Sequence, residues 1–390
     1  MEKETRIHRG MNYIYIASDN IITSLGFTTV ANMECIKAGE TGIRRWEDDS
    51  LSPLPFWASR VDDEELNNLF SAVARPEDHT RFEKLLICSV TEALQSTDLN
   101  IRDARTLFIL STTKGNIDLL NPVIHRFGDS KRVYLWHTAA LLKRFFRLAE
   151  NPIIVSNACI SGILAIITGA RMIRSGQYDH VVVTGADLVT EFVLSGFNSF
   201  LSLSDGPCRP FDKYRQGLSL GEGAGTIILT ADPSRVNKSS GIRVGYGFSS
   251  NDANHISGPS RNGEGLYQVI RKTVDKNDIP VDYISAHGTA TPYNDEMESI
   301  AISRAGLQDV PVNSFKGYWG HTLGAAGILE TIAGACSLSE NLLLATLGFS
   351  ESGTTRPLAV IRETRETRLN SCLKIASGFG GCNAAILISK

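Results

Sequence analysis

Three residues of this chain stand where nucleophilic and acid–base chemistry would need them. Cys159 lies in NPIIVSNACISG, where an apolar strand-like run ends and a helical run rich in small residues begins. A cysteine at a helix N-terminus meets unpaired backbone N–H groups and the positive end of the helix dipole, which lowers the thiol pKa and makes a nucleophile. The other six of the seven cysteines (Cys35, Cys88, Cys208, Cys336, Cys372 and Cys382) lack that placement and read as packed thiols. His287 in AHGTATPYND follows the strand-like VDYISA, and His321 in NSFKGYWGHTLGAAG precedes a second helical run. Both fall in strand-to-helix loops at the same end of a parallel sheet as Cys159, the end where α/β proteins bind ligands. On its segment alone Cys159 fits an inert buried thiol equally well, and a lone loop histidine is usually structural, but two histidines in loops equivalent to the cysteine loop favour catalysis.

The elements that must position these residues can be read from hydrophobic patterning. Residues 107–111, 152–156, 180–185, 225–230, 281–286 and 384–389 are short apolar runs bounded by turn residues, and they read as buried strands. Amphipathic stretches at 81–95 and 264–276 lie between such runs, so the class is α/β. The chain also repeats itself at an offset of 165: SGILAIITGA (161–170) and AGILETIAGA (326–335) agree at six of ten places. GAGTIILT (223–230) and CNAAILIS (382–389) close the two copies with a small-residue turn and a strand. Two similar units are therefore expected, 11–231 with the cysteine and 241–390 with the histidines, joined by the polar segment 231–243. A strand is expected to open at Met11, with the polar decapeptide before it as an extension.

Composition removes several function classes. A length of 390 residues suggests two or three structural units at ~150 residues each. Hydrophobic residues at 42% and charged residues at 21% fit an ordinary globular chain and exclude disorder or a coiled coil. A net charge of -3 supplies no basic field for nucleic acid or an anionic membrane. No apolar run reaches the ~18 residues of a membrane helix, and the opening MEKETRIHRGMNYIYIASDN has no signal-like apolar core. An odd cysteine count without CxxC pairs reads as reduced thiols in a cytoplasm, and no zinc-like spacing is present.

Taken together, ACISG around Cys159, HGTATPYND from His287, FKGYWGHTLGAAG with Lys316 and His321, GFGG at 378–381 and RPFDKYRQGLSLGEGAG at 209–225 resemble one family. It is the elongating β-ketoacyl-acyl-carrier-protein synthases, condensing enzymes of the thiolase-like superfamily. The resemblance implies a duplicated five-layer αβαβα fold and a homodimer, with a heterodimer with a related subunit as the other possibility. It implies acyl carrier protein as partner, no metal, and no cofactor beyond the phosphopantetheine arm that carries the substrates. Cys159 would carry the acyl chain as a thioester. His287 and His321 would donate hydrogen bonds to the malonyl thioester carbonyl, and the N–H groups of Cys159 and Phe379 would form an oxyanion hole. Lys316 and Glu298, eleven residues after His287, would pair and orient the histidines. Thr289 and Thr291 would hold the phosphopantetheine arm. Phe379, in a loop made mobile by Gly378, Gly380 and Gly381, would gate the site.

Some positions depart from the family. CLKIAS precedes GFGG where Asn-Ser-Phe is usual, and Ser285 replaces a common asparagine; in some relatives these positions contribute to a structural cation site, and none is assigned here. The opening MNYIYIASDNIITSLG replaces a Gly-rich start, and the short SLSDGPCRPFD segment is more similar to synthases of polyene-type or specialised acyl clusters. STTKGNID after strand 107–111 puts Lys114 or a neighbouring threonine at the acyl-pocket floor, a position usually small or apolar. Lys131, Arg132 and Lys213 are candidate contacts for an acidic carrier protein, with Arg209 and Arg215 as structural residues. A thiolase would need Cys382 as a second catalytic cysteine at a different spacing. An initiating synthase would carry asparagine where His321 stands. A chain-length-factor subunit would lack the nucleophile.

Overall fold

The computed structural model of the protein describes residues 13–121, 130–236, 241–256 and 258–390. The expected extension, the Met11 start of the first strand and residues 237–240 of the polar linker lie outside them. Ten strands form the main sheet: β1 Tyr15–Ile22, β2 Thr106–Ser111, β3 Ile153–Val155, β4 His180–Asp187 and β5 Gly223–Thr230, then β6 Arg243–Asn251, β7 Tyr283–Ser285, β8 Val312–Asn313, β9 Ser371–Gly378 and β10 Cys382–Ser389. Seven helices matter for the site: α1 Arg81–Gln95, α2 Ser161–Arg174, α3 Glu191–Ser199, α4 Glu264–Asn277, α5 Pro292–Arg304, α6 Lys316–Trp319 and α7 Ala326–Glu340.

The sheet runs β8-β7-β9-β10-β6-β1-β5-β4-β2-β3. Each half therefore has the order third, second, fourth, fifth, first. The strand senses match as well. In both halves the second strand is parallel to the third and fourth, and the fifth is antiparallel to the fourth and first. Only Tyr15 and Arg243 register across the seam between β1 and β6. Helix α1 packs on the first half from outside, α4 packs on the second, and α2 with α7 lies between them against strands of both halves. Five layers result.

Local sequence explains these elements. Thr80 caps α1 with a complete capping box to Glu83, and the apolar positions of α1 face β1, β4 and β5. Helix α7 is buried on nearly all sides, which its AGILETIAGA run of small and apolar residues permits. The two repeated helices cross closely because both carry glycine at the contact. A Cβ on Gly162 would lie 2.8 Å from the amide nitrogen of Ile328 and 3.0 Å from the Gly324 carbonyl. Three strands were hidden from patterning, among them the two-residue β8. β6 begins inside the polar linker and carries Gly and Ser, and β9 has a lysine in its middle. Among the described residues no helix is long and apolar enough to cross a membrane.

The crossing makes a stability prediction. Gly162→Ala forces backbone against backbone and should cost about 1–3 kcal/mol in urea unfolding, whereas Gly196→Ala, in open space on α3, should be neutral or slightly stabilising. Equal stability of the two variants would contradict the close crossing.

Candidate active site

Helix α2 opens two residues after Cys159, and the chain reaches it through a tight turn. Ala158 adopts φ +44°, in the left-handed region, and Ser161 clamps the turn, its hydroxyl donating to the Ala158 carbonyl at 2.6 Å and accepting from the Asn157 amide at 2.7 Å. Gly378 packs behind: a Cβ there would lie 3.1 Å from the amide nitrogen of Cys159. The Phe379 N–H acts on the Cys159 thiol, and Cys159 and Phe379 line one cavity.

The histidines come from the other half. The His287 amide donates to Glu298 Oε1 at 2.7 Å and the Gly288 amide to Oε2 at 2.6 Å, which pins the loop after β7 to α5. His321 follows α6, where its amide donates to the Ser219 carbonyl at 2.8 Å and its carbonyl accepts from Gly221 at 3.0 Å. Cys159, His287 and His321 thus converge, with a ligating atom of each within 4.8 Å of the others, and the two imidazoles lie edge to face at 5.1 Å.

Hydrogen bonds behind the rings set their tautomers. Lys316 Nζ lies 3.3 Å from His287 Nδ1, and the Leu323 amide donates to His321 Nδ1 at 3.3 Å. Each Nδ1 therefore accepts, and the proton of each neutral ring sits on Nε2. Nε2 of His321 is buried and has no partner of its own. Both rings stay neutral. Burial holds His287 well below the ordinary imidazole range, helped by Lys316, His321 and Lys374, and burial with Lys316 and Lys374 does the same for His321. A metal would need the Nε2 lone pairs. Two N–H donors aimed at one point instead stabilise an oxyanion.

Three expectations need correction. Lys316 does not pair with Glu298; its Nζ lies 2.6 Å from Glu330 Oε1 on α7, because Glu298 is engaged by the His287 and Gly288 amides and by Asn294. The Cys159 thiol is not lowered by its helix: burial, then Cys382, push it up to about 12, with only partial opposition from Lys316, Lys114 and the Phe379 N–H. Arg132 is not a free surface base, since its guanidinium is tied to the buried Glu83 carboxylate and to the Asp78 carbonyl at 2.7 Å. Lys213 is exposed but ion-paired with Glu351 at 3.2 Å. Arg209 pairs with Asp212 at 3.1 Å, and Arg215 lies 4.0 Å from the buried Asp295.

A cavity of ≈ 290 Å³ opens onto the trio and is lined by Thr289, Thr291, Phe379, Phe197 and Phe200. The two threonine hydroxyls bond each other at 2.9 Å. Phe379 sits between Phe197 and Phe200, with ring centroids 5.3 and 5.2 Å away, and Gly380 and Gly381 follow it at φ +82° and +72°. A larger cleft of ≈ 1090 Å³, lined by Arg81, Glu222 and Leu119, contains none of the trio. At the expected pocket floor, loop 112–114 wraps a carboxylate. Buried Asp187 accepts from the Thr112 hydroxyl at 2.8 Å, the Thr113 amide at 2.9 Å and hydroxyl at 3.0 Å, and the Gly324 amide at 2.7 Å. Lys114 is half-buried there, and its charge acts on the Cys159 thiol.

Sequence reading missed Glu330, Lys374, Asp187, Phe197 and Phe200. For Glu330 a signal was present, since it is the acid in an otherwise apolar repeated helix and stands where the first copy has Ala165.

Comparison with known proteins gives consistent matches. Residues 11–234 match the β-ketoacyl synthase N-terminal domain model, and residues 241–350 match the C-terminal domain model. A protein of Schizosaccharomyces pombe named as a mitochondrial 3-oxoacyl-acyl-carrier-protein synthase is 30% identical over 79% of this chain and 81% of its own. The tetracenomycin polyketide synthase ketoacyl synthase alpha subunit of Streptomyces glaucescens is 32% identical over 62% of this chain and 61% of its own. Among solved structures, a ketosynthase in complex with its chain length factor from Xenorhabdus doucetiae superposes at TM-score 0.84, with 26% identity and 100% coverage of both chains.

The neutral imidazoles predict a pH profile. Both rings titrate below the ordinary ~6.5, so the donor forms persist as pH falls through that value. Decarboxylation of a malonyl-pantetheine thioester should stay flat as pH falls from about 8 through the ordinary imidazole range. A half-height near 6.5 would contradict the buried neutral pair.

Proposed function

We propose a reaction for this chain, which belongs to the β-ketoacyl synthase family: decarboxylative Claisen condensation of malonyl-acyl carrier protein with an acyl group held on Cys159. The product is β-ketoacyl-acyl carrier protein, in fatty-acid or polyketide- or polyene-type synthesis. The observation that carries this reading is a pair of imidazoles whose Nδ1 atoms are occupied, packed with the Cys159 thiol so that a ligating atom of each residue lies within 4.8 Å of the others.

In the first half-reaction the Cys159 sulfur bonds the acyl carbon, the carbon–sulfur bond to phosphopantetheine breaks, and the thiol proton leaves with the carrier thiol. Because burial holds the thiol up to about 12, deprotonation belongs to the arrival of substrate and not to the resting enzyme. In the second, the carbon–carboxylate bond of the malonyl group breaks. Its electron pair passes to the thioester oxygen as an enolate held by His287 and His321. The enolate carbon attacks the acyl carbon, and the oxyanion rests on the amides of Cys159 and Phe379. Collapse releases β-ketoacyl product and the Cys159 thiolate, which takes a proton from solvent. No redox step or metal enters this scheme, and the only carrier group is phosphopantetheine, which Thr289 and Thr291 would hold. Phe379 would move from between Phe197 and Phe200 to admit it. Glu298 is a positioning residue for the His287 loop.

The partner is acyl carrier protein, and the chain works as a pair with a second copy or a related subunit. Seven free thiols suit a reducing compartment such as the cytoplasm.

Cys159→Ala should abolish acyl transfer, and Cys159→Gln should retain malonyl decarboxylation, because the histidines are untouched. His287→Ala and His321→Ala should each slow decarboxylation by about 10²–10³. Intact-protein mass reads the first pair and carbon dioxide release the second. Acylation that survives Cys159→Ala, or decarboxylation at full rate in both histidine variants, would overturn the proposal.

A further inference from the structure

Lys374 stands in the middle of β9 and is fully buried. A buried ammonium is costly unless its charge and protons are met. Its Nζ donates to the carbonyls of Ala286 at 2.9 Å and Ser285 at 3.2 Å, and lies 2.6 Å from Glu330 Oε2. The other oxygen of that carboxylate holds Lys316, 2.6 Å away, and Lys316 Nζ reaches the His287 carbonyl at 2.5 Å and Nδ1 at 3.3 Å. Behind His287 there are thus two ammonium groups and one carboxylate in a row, and the proposed reaction accounts for only one of the lysines. Two carbonyls and a carboxylate also make an all-oxygen cradle of the kind hard cations take.

We infer that Lys374 is a positioning residue, a tethered cation that fills this cradle, holds the Glu330 carboxylate between the two lysines, and so fixes Lys316 on Nδ1 of His287. The inference rests on the donor role of His287. The charged and titratable groups around the histidine pair are Cys159 at the head of α2, Glu298 on α5 at the His287 amide with Asp295 acting on it, Lys316 on α6 and Lys374 on β9 acting on both rings, and Glu330 on α7 between the two lysines. Removing Lys374 leaves Glu330 and Lys316 as a neutral pair and takes a positive charge away from both imidazoles. Protonation of the rings then becomes easier, and the acid limb of the rate moves up in pH.

The test uses the full chain, malonyl-carrier protein decarboxylation and two variants. K374M should lower kcat roughly 10–100-fold with KM little changed, and should raise the acid limb by at least about half a pH unit. K374A leaves room in the cradle, so ammonium or potassium ions at about 100 mM should restore part of its rate. Tetramethylammonium is too large to do so, and K374M, whose side chain fills the space, should respond to neither. Wild-type kcat and acid limb in K374M, or a K374A rate indifferent to the cation, would overturn the inference. If K374M does not fold, a K374A Tm raised by ammonium over tetramethylammonium supports the inference and an unchanged Tm overturns it. Absence of decarboxylation in the wild type would instead sink the proposed function.

Discussion

The buried ammonium of Lys316 ties three elements of the second half together at the back of the site. From the first turn of α6 it reaches Glu330 on α7 and both the carbonyl and the Nδ1 of His287 after β7. A charge this deep persists only because each proton has an acceptor and one acceptor is anionic. What it gives the site is direction. By occupying Nδ1 it sends the ring proton of His287 to Nε2, and its field, with burial, keeps that ring and His321 uncharged. Two imidazoles able to donate but not charged are hard to hold side by side in any other way. Exposed rings would titrate near neutrality, and rings paired to carboxylates would become imidazolium.

The rest of the fold brings Cys159 to that pair. Both halves use the same strand order, so the loops after their third strands open helices α2 and α7 at corresponding places, and these helices cross through glycine contacts. Cys159 stands at the head of one, and His321 lies just before the other. Asp187 at the end of β4 then stitches loop 112–114 to the Gly324 amide across the crossing. The nucleophile from one half meets the donors of the other because the halves repeat, and the aromatic trio of Phe197, Phe200 and Phe379 closes the approach.

Much of this was legible in the sequence because strand ends announce themselves. Apolar runs stopping at small and polar residues located Cys159 and His287, and the offset of 165 located α2 and α7 and, just before α7, His321. Which buried groups pair with which was not legible. The resemblance implied Glu298 as the ion-pair partner of Lys316, yet that carboxylate is used up by backbone amides, and the actual partner, Glu330, is the acid of the otherwise apolar repeated decapeptide 326–335. A lysine inside an apolar strand looks like a break in the strand unless the carboxylate opposite it is known, and β9 was missed for that reason. The thiol of Cys159 shows the same limit. Placement at a helix N-terminus is visible in sequence, but the burial that outweighs it is a property of the assembled halves.

The central claim is that both imidazoles are neutral and carry their proton on Nε2 in the resting enzyme. Nitrogen-15 NMR of histidine-labelled protein at pH 7, with His287→Ala and His321→Ala spectra for assignment, reads ring charge and tautomer directly. The account predicts that both rings show the neutral Nε2–H pattern and keep it on acidification past the ordinary imidazole range. An imidazolium signal from either ring at neutral pH, or a proton on Nδ1, would contradict it.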